Sequence, residues 1–536
     1  MIFVKMSQQL TKLTFLKQLA TKPWITCFLA GILMGMGSDP FNAWFLAWIA
    51  LIPLWIWLIN QQKFQIRQLL PPLTFAVGYY GVTIFWITGI HPMTWMGVPW
   101  LSSLLIAIFC WLFIIAWGSF FVLLWSLGMI FLTRSLSHPL SRVLLGVALW
   151  CTIETLVSHT PLHWPTFALT QSPYNLPILQ WLSVSGTTTV TAAIVAVNGL
   201  LAEAILRNHR QNRSRFLGGL TQVALGLLVG LHLIGWLLYL QPLETPQENA
   251  LRVGIIQGNV PNTIKLYPEG WRKALEGYTT GYIGLAEAGA EAILTPETAL
   301  PFQWEEQVRG NSDFYQAILQ KNVPVWLGAF GKKEGRSTNS LYSLNGEAET
   351  LARFDKVKLV PLGEYIPFED ILGNVVDRLS PLDSQFAHGS PDQTFITPWG
   401  KAAVGICYES AYGEHFRRQV ARGGEFILVP SNDDHYSEAM PAQHHALDVM
   451  RAIENDRAMV RATNTGYSAI VDPRGNTLWL SDLDEYETHL STIYRRDTQT
   501  LYVRWGNWLN WVLLGLGGVV LVRSKLKSRQ NYSDSK

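Results

Sequence analysis

Val404-Gly405-Ile406-Cys407-Tyr408-Glu409-Ser410 is a short apolar run that stops abruptly at polar residues. Such a run reads as a buried strand that delivers its last side chains to the edge of a sheet. Cys407 is the only cysteine in the polar block 241–504. Two other isolated polar signals precede it: Glu297 in Leu294-Thr295-Pro296-Glu297-Thr298, and Lys356 in Arg353-Phe354-Asp355-Lys356-Val357-Lys358. A carboxylate, an amine and a thiol at strand ends can make an acyl-transfer site.

The surrounding block alternates two patterns. Strand-like runs occur at 252–257, 292–296, 323–328, 402–406, 426–430 and 467–471. Helix-like segments occur at 269–290, 313–320 and 439–457. Alternation of this kind predicts a layered α/β domain. Arg474-Gly475-Asn476 reads as a turn before another strand. Gln257-Gly258-Asn259, Glu297, Cys407 and Ser431-Asn432-Asp433 each follow a strand-like run. Open α/β sheets gather ligands at strand carboxyl ends, so these four predict one shared rim.

Outside this block the chain is apolar. Charged residues make up 15% of the 536, against roughly 25% in soluble proteins. Eight apolar stretches stand out, at 23–38, 42–59, 69–90, 104–131, 144–158, 184–206, 219–240 and 505–522. A bilayer needs about 20 apolar residues per helix, so the pattern predicts a bundle of eight transmembrane helices. A signal peptide is the alternative for the first stretch, but the second follows so soon that a helical hairpin is simpler. The expected division is a membrane domain over 1–240 with seven helices, a catalytic domain over 241–504, and a helix with a tail over 505–536.

Lysine and arginine fall on alternate loops. Lys5, Lys12, Lys17 and Lys22 precede the first stretch, Lys63 and Arg67 follow the second, and Arg134 and Arg142 follow the fourth. Arg207, Arg210, Arg213 and Arg215 follow the sixth, and Arg523, Lys525, Lys527, Arg529 and Lys536 end the chain. The loops between them, 39–41, 91–103 and 159–183, contain neither residue. Positive loops stay cytoplasmic, so both termini should be cytoplasmic and the block 241–504 extracytoplasmic. A net charge of +2 gives no reason to expect nucleic acid.

Outside the cytosol, paired cysteines become disulfides. Cys27, Cys110 and Cys151 lie in apolar stretches, and Cys407 has no partner in its own block. It is either a buried filler or a working thiol. Glu154 and Glu203 lie toward the ends of apolar stretches, where structural roles compete with functional ones. Trp95, Trp100 and Trp164 fall in outward loops, a place for headgroup contact.

Thr295-Pro296-Glu297, Lys356 with Leu359-Val360-Pro361-Leu362-Gly363-Glu364-Tyr365-Ile366-Pro367, and Gly405-Ile406-Cys407-Tyr408-Glu409 together resemble the carbon–nitrogen hydrolase (nitrilase) superfamily. With the apolar stretches, the chain is similar to the bacterial apolipoprotein N-acyltransferase family. Gln257-Gly258-Asn259-Val260-Pro261, Ser431-Asn432-Asp433, Arg461-Ala462-Thr463-Asn464-Thr465-Gly466, and Pro40-Phe41 with Trp44 carry the same likeness. The resemblance implies an αββα sandwich with a Glu297, Lys356, Cys407 triad. Glu297 would be the base, Lys356 an oxyanion donor with the Tyr408 N–H, and Cys407 the nucleophile. Glu364 would be a second acid near the triad, with Tyr408 and Glu409 supporting or lining the site.

The implied reaction moves an acyl chain from a membrane phospholipid to Cys407. The thioester then passes to the N-terminal diacylglyceryl-cysteine of an apolipoprotein, at the bacterial inner membrane. No metal or diffusible cofactor is implied, and His415, His435, His444 and His445 are poorly spaced for zinc. Two positions depart from the family pattern: Leu266, where many members have tryptophan, and His435-Tyr436, where many have Trp-Phe. Both bear on lipid preference rather than on the triad. The rival readings are a membrane-anchored amidase and, without catalysis, a transporter or scaffold.

Overall fold

The structure is a computed structural model; it describes residues 22–536 except 62, 165, 211–217, 309, 311, 366–384, 435 and 535–536. The first three lysines of the N-terminus, Arg213, Arg215, Ile366, Pro367, His435 and Lys536 lie outside the described residues.

Each of the eight apolar stretches is helical. Among the described residues, five helices are long and apolar enough to cross a membrane: Trp100–Ser135, Pro139–Val157, Thr187–His209, Gly219–Tyr239 and Trp508–Lys527. The first three stretches give shorter pieces. Pro23–Gly35 is one helix of 13 residues, and Leu70–Thr83 has 14 before a 3-10 turn over Phe85–Ile90. These two helices cross closely. A Cβ on Gly31 would sit 2.0 Å from the Phe75 carbonyl oxygen, and one on Gly78 2.4 Å from that of Phe28. Small residues permit such approach between apolar helices.

The second stretch, expected as one helix, breaks into Trp44–Leu46, Ala47–Ala50 and Ile52–Ile59. Pro53 starts the last piece and brings no N–H to the ladder. Asn198 repairs the break from a neighbouring helix. Its Oδ1 accepts from Leu51 N at 2.9 Å, and its Nδ2 donates to Ala47 O at 2.9 Å. Backbone groups freed inside an apolar region need such internal partners.

Two sheets form the block that follows. The first contains β1 (Ala250–Gln257), β2 (Ala292–Leu294), β3 (Leu300–Gln303), β4 (Val325–Lys333), β5 (Arg336–Leu344), β6 (Thr350–Asp355) and β13 (Glu487–Tyr494). Its order is β13-β1-β2-β4-β5-β6, with β3 beside β4. The second contains β7 (Phe395–Thr397), β8 (Gly400–Val404), β9 (Gly424–Ser431), β10 (Met459–Thr463), β11 (Ala469–Val471) and β12 (Thr477–Leu480), in the order β12-β11-β10-β9-β8-β7. In each sheet a parallel centre is flanked by antiparallel strands. Parallel strands are covered on both faces, which explains their unbroken apolar runs.

The sheets pack face to face. Val253, Ile255, Trp326 and Leu341 of one meet Val404, Phe426, Leu428 and Val460 of the other in one buried cluster. Helices Pro268–Glu287 and Asp313–Lys321 cover the outer face of the first sheet through Tyr278, Tyr282, Phe314 and Ile318. Helices Gly413–Ala421 and Ala439–Asn455 cover the second sheet. The result is an αββα sandwich. The outer layer of the second sheet shares its core with the helical region: Phe416, Met440 and Leu447 belong to the same buried cluster as Trp48, Trp164 and Phe167.

That shared core corrects the expectation for Trp164, which is buried rather than free for headgroups. Its ring lies 5.2 Å from that of Trp86 and is stacked on Tyr408 at 6.2 Å. Gln443 holds the junction. Its Oε1 accepts from Trp86 and Trp164 Nε1, and its Nε2 donates to the carbonyls of Asp39 and Thr83.

Candidate active site

Glu297 lies three residues past the end of β2, Lys356 one past β6, and Cys407 three past β8. The pairing within each sheet and the face-to-face stacking bring these ends to one rim. Thr298 has φ 46° and Cys407 has φ 52°, so both side chains sit on left-handed turns. A non-glycine residue there costs energy and persists only when its surroundings hold it.

The surroundings of Cys407 do hold it. His444 Nε2 donates to the Cys407 carbonyl at 2.8 Å. His444 Nδ1 lies 3.0 Å from Asp433 Oδ1 and 2.8 Å from Arg461 Nη2. Arg461 also binds Asp433 Oδ2 and Asp448 Oδ2, each at 2.8 Å, and Ser410 Oγ donates to Asp448 Oδ1 at 2.6 Å. All of these groups are buried. Burial disfavours the Asp433 carboxylate, but His444 and Arg461 outweigh it and hold its pKa down at about 2.

Cys407, Asp433 and His444 offer ligand atoms within 4.8 Å of one another. Both His444 nitrogens are engaged, and the Arg461 guanidinium occupies the polar side of the cluster. A cation there would face a fixed positive charge, so the donor set does not suit a metal.

Glu297 and Lys356 meet directly. Lys356 Nζ donates to Glu297 Oε1 at 2.9 Å and to Glu364 Oε1 at 3.0 Å. Asn339 on β5 joins both acids, donating to Glu297 Oε1 at 2.6 Å and Glu364 Oε1 at 2.9 Å. Among the described residues no donor reaches Glu297 Oε2. Burial opposes the Lys356 ammonium, but Glu297, Glu364 and Cys407 together hold its pKa well above the usual lysine range. An ammonium has three N–H groups, so two are spent on carboxylates and one remains.

Burial pushes the Cys407 thiol well up, with Glu297 adding to the effect and Lys356 opposing it. The resting group is therefore a thiol that needs a base to become a nucleophile. The cysteines are all free, so Cys407 is not a staple.

The supporting residues divide. Glu364 is part of the ion-pair cluster. Its Oε2 also accepts from Val360 N at 2.8 Å, which folds its own loop toward Lys356. Glu409 is fully buried. Its Oε1 accepts from Val357 N at 2.8 Å and Lys358 N at 2.9 Å, and its Oε2 from Ile406 N at 2.8 Å. It ties the loop after Lys356 to the turn before Cys407. The Tyr408 side chain points to the helical region, donating to Pro161 O at 2.7 Å.

The other rim segments interlock. Asn464 exchanges hydrogen bonds with the backbone of Val260 and donates to Asn432 Oδ1 at 3.2 Å. Gln257 Oε1 accepts from Thr463, Ser468 and Ser481. Asn339 and Lys265 escaped the sequence reading. Asn339 stands inside a strand, and Lys265 lies in a four-residue helix, Asn262–Lys265. Yet Lys265 is 3% exposed, and its Nζ donates to the Glu297 carbonyl at 3.1 Å. Its position beside Leu266 was the only available signal.

Glu154 and Glu203 have structural partners. Glu154 accepts from Trp150 Nε1 at 3.0 Å, Phe167 N at 3.0 Å and Thr191 Oγ1 at 2.8 Å. Glu203 Oε1 pairs with Arg142 Nε at 2.7 Å.

Comparison with known proteins bears on this assembly. The carbon-nitrogen hydrolase family matches residues 252–502, and the apolipoprotein N-acyltransferase N-terminal domain matches residues 30–200. An apolipoprotein N-acyltransferase of Nostoc sp. is 54% identical over 90% of this chain and 96% of its own length. Relatives with that name from Synechocystis sp. and Thermosynechococcus vestitus are 48% and 42% identical, each over 91% of this chain and over 98% and 93% of their own lengths. A solved amidase from Nesterenkonia sp. AN1 aligns with 48% of this chain and 95% of its own at 19% identity, with a TM-score of 0.36, too low to carry an argument. The chain belongs to the apolipoprotein N-acyltransferase family, membrane acyltransferases whose catalytic domain is of the carbon–nitrogen hydrolase type.

Proposed function

We propose that Cys407, Glu297 and Lys356 carry a two-step transfer of an acyl chain from a phospholipid to the N-terminal diacylglyceryl-cysteine of an apolipoprotein. The observation that supports it most is the buried Glu297–Lys356–Glu364 cluster at the rim where Cys407 is held on a left-handed turn. Glu297 takes the thiol proton through its unengaged Oε2. The thiolate attacks the ester carbonyl, and the negative charge passes to the carbonyl oxygen. The remaining Lys356 N–H and the Tyr408 backbone N–H stabilise that oxygen. Collapse breaks the ester bond; Glu297 returns the proton to the departing lysophospholipid oxygen and the thioester is left on Cys407. The amine then attacks, Glu297 takes its proton, and the thiolate leaves with the amide formed.

Glu364 is a second acid that keeps Lys356 charged and in place. Glu409 and Tyr408 support the turn, one through backbone N–H groups and one through the helical region. The eight helical segments cross the inner membrane with both termini cytoplasmic and the sandwich outside. The alternation of basic loops supports this, as does Arg142–Glu203 near the expected inner ends of two helices.

Mass spectrometry tests the reaction. Purified protein with phospholipid vesicles gains one acyl mass on Cys407, and Cys407→Ala gains none. Adding a diacylated lipopeptide discharges the adduct to its amine. An adduct that water clears equally fast without lipopeptide sinks the transfer step in favour of an amidase. A reporter fused after Lys536 reads cytoplasmic; a periplasmic signal sinks the topology.

A further inference from the structure

Glu297 and three groups near it, Lys356, Glu364 and Lys265, set the charge of the proposed centre. Glu297 and Glu364 bring two negative charges, and Lys356 brings one positive charge to both. One negative charge is thus left over in a buried place, which costs free energy unless another group balances it. Lys265 lies in that place. The residue is 3% exposed, and its Nζ bonds the Glu297 carbonyl at 3.1 Å. Among the described residues that is its one hydrogen bond, so two N–H groups remain unspent in a buried site.

The turn that carries Lys265 is fixed to the same rim. Asn262 N donates to Asp434 Oδ2 at 2.6 Å, and Asn432 Nδ2 donates to Asn262 Oδ1 at 2.9 Å. Asn432 O in turn faces Cys407 Sγ at 3.8 Å. Gly270 lets the following helix close over the turn, since a Cβ there would sit 2.1 Å from Ile264 O. The titratable groups that act on Lys265 are Glu297, Asp434 and Cys407; the charged groups bonded around the Glu297 carboxylate are Lys356 and, through it, Glu364.

We infer that Lys265 is a second lysine of the centre, a positioning residue whose positive charge beside Glu297 supports that carboxylate as the base. This rests on the role proposed for Glu297. Burial lowers the Lys265 pKa to about 8, with Glu297 and Asp434 opposing the fall. The group is thus a cation at neutral pH, where the balance is needed. Without it, the acid limb of the rate profile, which reports the base, would move up.

The test follows acyl-adduct formation on the full-length protein with phospholipid vesicles, from about pH 5 to 9. Wild type, Lys265→Met, Lys265→Gln, Lys265→Arg and Cys407→Ala are compared after a melting curve confirms folding. In the neutral variants the acid limb moves up by about one unit, the size expected for one nearby charge, so the rate at a pH on that limb falls about tenfold. Lys265→Arg keeps the wild-type limb. A neutral variant that folds and keeps the wild-type limb overturns the inference, as does Lys265→Arg moving as far as Lys265→Met. If neither neutral variant folds, Lys265 is a structural element and the inference also falls. An adduct on Cys407→Ala would instead defeat the nucleophile assignment, so the two failures are distinct.

Discussion

Glu154 and Glu297 are both buried carboxylates, and their surroundings are opposite. Glu154, in the helical region, receives three hydrogen bonds spread over both oxygens, all from neutral donors. Glu297, at the sandwich rim, receives both of its side-chain hydrogen bonds on one oxygen, one of them from an ammonium. A saturated acid holds a structure together. An acid with a free oxygen and a charged neighbour can accept a proton and give it back. Burial is common to the two, so partner distribution is what separates them.

Exchanging each acid for its amide tests that contrast most strongly. Glu297→Gln should slow acyl-adduct formation by about 10²–10⁴-fold, the range for loss of a general base. Glu154→Gln should leave the rate within about threefold and instead lower stability by about 1–3 kcal/mol, read as a melting shift. Equal rate losses in both would erase the distinction. Lys356→Met removes the donor shared by Glu297 and Glu364, and should cost about 10²–10³-fold in the same assay.

Glu409 sharpens the contrast from the rim side. It is as saturated as Glu154, yet its three donors belong to the segments that carry Lys356 and Cys407. Glu409→Gln should therefore cost about tenfold in rate with little change in melting, the signature of lost positioning. A large melting shift with an unchanged rate would place Glu409 with Glu154. At the junction, Gln443→Leu leaves two indole N–H groups and two carbonyls without their partner. The expected loss is about 3 kcal/mol of stability, read by melting in detergent.

The smallest effect is a pH dependence. Asp433 has its folded pKa depressed to about 2 by His444 and Arg461. A depressed carboxylate stabilises the fold above its unfolded pKa of about 3.9 and loses that contribution as pH falls toward 2. Asp433→Asn should flatten the melting-temperature profile between about pH 4 and 2. An unchanged profile would remove Asp433 from the network that holds Cys407.

Much of the rim was legible. Gln257, Glu297, Cys407 and Ser431 each follow an apolar run, and an apolar run in a layered domain ends at a sheet edge. The β5, β10 and β13 strands were not legible, because their polar and apolar residues mix without a clear period. The helix boundaries at 42–59 were not legible either. Composition marked the stretch as apolar, but Leu51 and the Asn198 side chain that bonds it across the break lie 147 positions apart in the chain. Asn339 was missed because an asparagine inside a strand carries no local mark of the two acids it joins.

The sequence by itself determined which chemistry was available. It set one thiol in the polar block, with a carboxylate and an amine at strand ends, in a chain that also carries eight apolar stretches. Those are local properties of side chains and of their periodicity. Only the tertiary structure decided how the groups act together. The left-handed turn at Cys407, the tie through Glu409 and the burial of Lys265 arise where segments far apart in the chain meet. Loop contacts of that kind leave no periodic signal, yet they fix the charge and geometry on which the proposed reaction depends.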